Sequence, residues 1–215
     1  MKSLLFLLCF LSTFATFAAS YDDAISAAKM NDANGLNKIL AKGLSPNTTD
    51  AQGNSILLLA AREGSKDAVD IILRYSPDID APNMVGDTAL KIAAYNGHLA
   101  IVKMLLQSGA SLESDDWSAL TYAALNAHTE VAEFLIKKGA DVNAPSKNGT
   151  TPLMAAARRG AFDLVKILVA KKANLHAATD RGETAVDIAL KRGNTEIAEY
   201  LMAQGATANK KAPKK

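Results

Sequence analysis

Three histidines, one cysteine and a short acidic run are the residues whose types best suit chemistry in this chain: His98, His128, His176, Cys9, and Glu113, Asp115 and Asp116. A zinc centre needs three or four ligands converging on one point, and no spacing here brings the histidines together. The acidic run lacks the regular oxygen spacing and the glycine of a calcium loop, so it reads as solvated carboxylates rather than ligands. No serine neighbours a histidine in a recognisable nucleophile–base arrangement. No glycine-rich loop of the GxGxxG or GKS kind is present to cradle a phosphate. The residues therefore predict no enzyme, no cofactor and no metal.

What the chain does contain is repetition. Residues 151–171, TPLMAAARRGAFDLVKILVAK, encode two short helices. Thr151 can cap a helix through its hydroxyl, and Pro152 suits the first helical position, where its missing N–H costs nothing. Leu153, Ala156 and Ala157 share one face of that helix and Gly160 ends it. Leu164, Ile167 and Leu168 then form the apolar stripe of a second helix. The alanines at 155–157 leave room for another helix pair to stack closely. The Thr151 position recurs as Asp22, Ser55, Thr88, Ser118 and Thr184, and from Asp22 onward the successive steps are 33, 33, 30, 33 and 33 residues. Nine residues on stand Asn31, Gly64, Gly97, Ala127, Gly160 and Gly193. The second helices keep apolar pairs from Ile39-Leu40 through Leu201-Met202.

This period and pattern resemble the ankyrin repeat, a turn plus two helices of about 33 residues with a TPLHxA signature. The resemblance implies an all-α ankyrin-repeat solenoid of stacked helix-turn-helix units with short β-turn fingers, acting as a protein-binding scaffold. It covers residues 21–209 as six repeats, about 21–49, 50–82, 83–113, 114–145, 146–178 and 179–209. The signature histidine is missing from each of them: Ile25, Leu58, Lys91, Thr121, Met154 and Asp187 stand there, which puts the inter-repeat hydrogen bonds it would make in doubt. His98 and His128 occupy the repeat's Gly-His position, ahead of the second helix. The first repeat lacks the Thr-Pro start and puts Asp22 and Asp23 at the first turn of its helix. Repeat two closes on Ser76-Pro77, which predicts a looser last turn. In repeat four Asp116 replaces the turn glycine and the finger is three residues short. Lys172 stands where Gly43, Gly109, Gly139 and Gly205 close other repeats, which predicts a left-handed lysine.

Residues 1–20 carry Lys2 as their only charge, an almost wholly apolar run from Leu4 to Phe17, and small residues at Ala18-Ala19-Ser20. They read as a secretory signal peptide whose apolar run is short for a membrane span. Cys9 leaves with them, so the mature chain has no thiol and no disulfide, and no stable membrane insertion is expected after cleavage. Loss of Lys2 takes the 24 basic residues to 23 against 22 acidic ones, a balance that gives nucleic acid no general attraction. Residues 210–215, KKAPKK, read as a basic disordered tail.

The surface that varies between repeats is where the resemblance places partner binding. Met84 and Val85 at a finger, Trp117 at the short finger, and Tyr95 and Leu125 at matched first-helix ends form a candidate interaction strip. The other reading of Trp117 and Leu125 is that they fold over the gap left by the short finger. Arg158, Arg159, Lys191 and Arg192 at first-helix ends, with Lys147 and Arg181 in fingers, form a secondary basic surface, either solvated or facing an acidic partner. The reading is a monomeric exported protein of a bacterial periplasm (secreted otherwise) that binds another protein. The alternative role is a dedicated inhibitor or immunity protein neutralising an envelope-targeted toxin or enzyme.

Overall fold

The computed structural model describes residues 21–112 and 116–209. The leader with Cys9, the acidic residues Glu113 and Asp115, and the basic tail lie outside the described residues. Residues 21–29 are helical (α1), followed by α2 (Ala33–Ala41), α3 (Ile56–Glu63), α4 (Lys66–Arg74), α5 (Ala89–Tyr95) and α6 (Leu99–Gln107). The order continues with α7 (Ala119–Leu125), α8 (Thr129–Lys137), α9 (Pro152–Arg159), α10 (Phe162–Ala170), α11 (Ala185–Lys191) and α12 (Thr195–Ala203). The fold is all-α, as the repeat pattern predicts. The described residues carry no named strand, only isolated antiparallel bridges Thr49–Ser55 and Ala178–Thr184 at the bases of two fingers.

The helix starts follow from their caps. The hydroxyls of Ser55, Ser118, Thr151 and Thr184 each accept a hydrogen bond from the backbone N–H three residues on, at 3.1 Å for Ser55 and Ser118. Each satisfies an amide that the helix cannot. Asp22 differs from this pattern: it lies inside helical residues 21–29 rather than ahead of them. Asp23 lies within the same helical residues.

Two compact units divide the chain, one holding residues up to Leu90 with Lys103–Ala110, the other Lys91–Val102 with the residues from Ser111 on. In the first, α4 packs on both α2 and α3, and every residue of α3 from Ile56 to Ala61 is buried. In the second, α9 packs against α7, α10 and α11. All six residues from Pro152 to Ala157 are buried, more than the single face read from spacing. A helix enclosed by three others has no solvent side left over most of its length, and small side chains are what allow that approach.

Among the described residues, four other than glycine adopt left-handed backbone: Asn31 (φ 57°), Ser76 (φ 51°), Ala127 (φ 59°) and Lys172 (φ 64°). They are the positions where the repeat's glycine is replaced, so the repeat imposes the turn and the residue tolerates it. The Ser76 turn keeps its bond from Ser76 N–H to the Leu73 carbonyl, at 3.2 Å. Ala110, Ala140, Ala173 and Ala206 each add a bond to the carbonyl five residues back. Pro77 has no N–H to donate, so the expected looseness takes the form of one missing bond.

Lys172 and Asn31 share this conformation but should respond oppositely to glycine. Among the described residues no hydrogen bond holds the Lys172 side chain, so Lys172→Gly is expected to stabilise the fold by about 0.5–1 kcal/mol in urea unfolding. Asn31 uses its amide oxygen to accept the N–H groups of Asp67 and Ala68, at 2.9 and 3.0 Å, and its amide N–H donates to the Asp67 carboxylate. It thereby caps α4 from the neighbouring helix pair, and Asn31→Gly should cost about 1 kcal/mol.

Candidate functional site

Four of the fingers are each built by one polar residue three positions before a glycine. The N–H groups of Gly53, Gly86, Gly149 and Gly182 close turns onto the carbonyls of Asp50, Asn83, Ser146 and Thr179, at 2.8–3.0 Å. The side chains of the same four residues accept the N–H of the residue four on, fixing the turn locally. At Asp50, burial pushes the carboxyl pKa up, but the amide of Asn54 and the backbone N–H groups of Asn54 and Gln52 outweigh it. With the positive charge of Lys29 they leave the pKa below its ordinary value.

Successive fingers and helix ends are tied by asparagines rather than by the absent signature histidine. In the first unit the Asn83 amide donates to the Asn54 side chain at 2.8 Å, and Asn47 accepts the Asp78 N–H at 2.8 Å. In the second, Asn143 accepts the Asn174 N–H at 2.7 Å, and the Asn194 amide donates to the Ala157 carbonyl at 2.8 Å. Asp187, at a missing-histidine position, is buried. Its carboxylate accepts the N–H and hydroxyl of Thr184, at 2.8 and 2.7 Å, and the Asn209 N–H at 3.1 Å. The doubt over inter-repeat bonds is thus answered by other polar residues.

The candidate interaction strip is distributed over both units. Met84 and Val85, both 79% exposed, stand on a finger of the first unit. The Met84 N–H donates to the Gln52 carbonyl of the preceding finger at 3.3 Å. Tyr95, Trp117 and Leu125 belong to the second unit. There Trp117 is half-buried and lies against Tyr122, ring centroids 5.9 Å apart, and Tyr122 meets Tyr95 edge-to-face at 5.6 Å. Tyr122, which joins the other two rings, was not among the residues singled out from the sequence. The available signal was its place three residues before Leu125, on the same face of α7. Leu125 is half-buried, and its neighbour Asn126 donates its amide N–H to the Tyr95 carbonyl at 2.8 Å, so the ends of α5 and α7 adjoin.

The basic positions also converge in part. An open groove of about 280 Å³ in the second unit is bounded by the last two fingers and by α9 and α11. Arg158, Arg181, Lys191 and Arg192 line it, over Met154 and Ile188. Arg159 and Lys147 do not line it; the Lys147 N–H donates to Asp116 at 2.9 Å, linking two fingers. Lys191 pairs with Glu183 at 2.8 Å.

The histidines lie at three separate places in the repeats. His128 stands at the N-cap of α8, its imidazole filling the space beside Gly97, where an added Cβ would sit 2.5 Å from Nδ1. His98 precedes α6, and the His176 N–H donates to Asn174 at 2.9 Å. Among the described residues no helix is long and apolar enough to cross a membrane.

The family profile described as "Ankyrin repeats (3 copies)" matches residues 24–116, 78–146 and 120–212. Similar curated proteins include the Nuclear factor NF-kappa-B p105 subunit of Gallus gallus, 32% identical over 130 residues, covering 57% of this chain and 13% of that protein. Ankyrin repeat domain-containing protein 63 of Homo sapiens is 31% identical over 87 residues, 39% of this chain and 23% of its own length. The Inactive serine/threonine-protein kinase TEX14 of Mus musculus is 33% identical over 100 residues, 44% of this chain and 7% of its own length. The matched part is therefore less than a quarter of each of these three relatives.

Proposed function

Since the chain belongs to the ankyrin-repeat family, whose fold is an all-α solenoid that typically serves as a non-catalytic scaffold for protein–protein interaction, we propose that it is an exported binding module without catalytic activity. The observation that carries this reading is apolar bulk on the variable surface. Met84 and Val85 stand nearly free of the fold, and Tyr95 remains 36% exposed beside Tyr122. Neither the turn chemistry of the fingers nor the helix core requires these side chains outside, and such residues at a polar surface suit a partner's apolar face. Capture from the native compartment by the wild-type chain, with loss of the captured protein in Trp117→Ala, is the expected result. A partner profile identical in both would remove the aromatic row from the site.

Export rests on residues 1–20, and the compartment proposed is a bacterial periplasm. N-terminal sequencing of the exported protein should begin close to Tyr21. A chain recovered there still starting at Met1 would overturn the cleavage.

A further inference from the structure

We propose that the groove bounded by the last two fingers, α9 and α11 takes an extended acidic segment of a protein partner, with an aliphatic side chain on its floor and carboxylates at its arginines. The proposal rests on the protein-binding reading and names the chemistry of one partner segment. Arg158, Arg181 and Arg192 line this groove, and their guanidinium groups make no hydrogen bond or ion pair within the described residues. Lys191 is already held by Glu183, which leaves Asp180 as the one other acid lining the groove. A guanidinium offers a planar fork of donors that matches a carboxylate through two parallel bonds. Three unpaired forks around one concavity, on a chain whose basic and acidic residues nearly balance, concentrate positive charge there.

The floor selects among anions. Met154 is buried and Ile188 half-buried beneath the charged rim, so the base of the groove suits an aliphatic side chain. None of its lining residues is aromatic, so it offers bases nothing to stack on. The chain's own tail, with Lys210, Lys211, Lys214 and Lys215, carries the wrong charge to occupy the groove. What fits is a short run in which carboxylates flank a leucine-sized residue.

The test uses the mature full chain and a decapeptide repeating Glu-Glu-Leu, followed by calorimetry or fluorescence anisotropy at two salt concentrations. Binding should weaken with added salt. Arg158→Gln, Arg181→Gln and Arg192→Gln should each weaken it about threefold to fivefold, and the triple variant by about thirtyfold or more. Arg159→Gln removes the same charge from outside the groove and should change binding less than about twofold. Circular dichroism should show every variant folded, as expected for exposed side chains.

Equal losses from Arg159→Gln and Arg158→Gln would overturn the site in favour of diffuse attraction. Equal binding of the Gln-Gln-Leu peptide would remove the carboxylates from recognition. Tighter binding of a ten-nucleotide oligothymidylate would reassign the groove to nucleic acid. No binding of the acidic peptide, with partner capture intact and dependent on Trp117, would end this proposal and leave the protein-binding reading standing. Failure of the capture as well would end both.

Discussion

Asp187→Ala is expected to lower the unfolding free energy by about 3 kcal/mol, well above the cost expected for Asn31→Gly. Asp187 is buried and completes a capping box with Thr184, in which each side chain accepts the other's backbone N–H. It also holds Asn209, whose amide side chain donates to the Gly182 carbonyl at 2.7 Å. Alanine would leave the N–H groups of Thr184 and Asn209 without this acceptor, adding their desolvation cost to the lost cap. Asp187→Asn keeps an acceptor oxygen and should lose only about 1 kcal/mol. Urea unfolding of the two variants beside wild type checks this. An alanine variant within about 0.5 kcal/mol of wild type would show that water replaces the carboxylate.

Trp117→Ala is expected to weaken partner binding about thirtyfold, near 2 kcal/mol, while lowering stability by about 1 kcal/mol. The modest loss of stability follows from geometry. The indole is half-buried and contacts Tyr122 at a tilt of 46°, so truncation removes a partly exposed ring and opens a site that solvent already reaches. The greater loss of affinity follows from the proposed role, because an aromatic anchor beside Tyr122 and Tyr95 concentrates binding energy in a small area. If Trp117 only covered the short finger, stability would fall by several kcal/mol and binding would track the folded fraction. Affinity measured beside the melting curve of the same sample separates these outcomes. Tyr122→Leu supplies a second check: it retains apolar volume but removes the ring joining Trp117 to Tyr95, and it should weaken binding with little loss of fold.

Residue type and spacing determined a good deal of this protein unaided. The helix starts at Ser55, Ser118, Thr151 and Thr184 were readable because an N-cap is a contact between residues three apart. The left-handed Lys172 was readable because one period places it where other repeats have glycine. The all-α class followed from the same period. Tertiary structure alone decided matters that depend on neighbours far along the chain. It enclosed α9 on three sides, so that residues spaced for one buried face are buried all round. It put Asn31, Asn143 and Asn194 in place of the missing histidine, since an asparagine amide can bridge to whichever backbone group the next helix pair presents. It separated Arg158, Arg181, Lys191 and Arg192 from Arg159 and Lys147 by which side chains line one groove. It also placed Tyr122 between Trp117 and Tyr95. Local rules reach only as far as a turn or a helical pitch, whereas these arrangements arise where repeat meets repeat, and there packing chooses the partner.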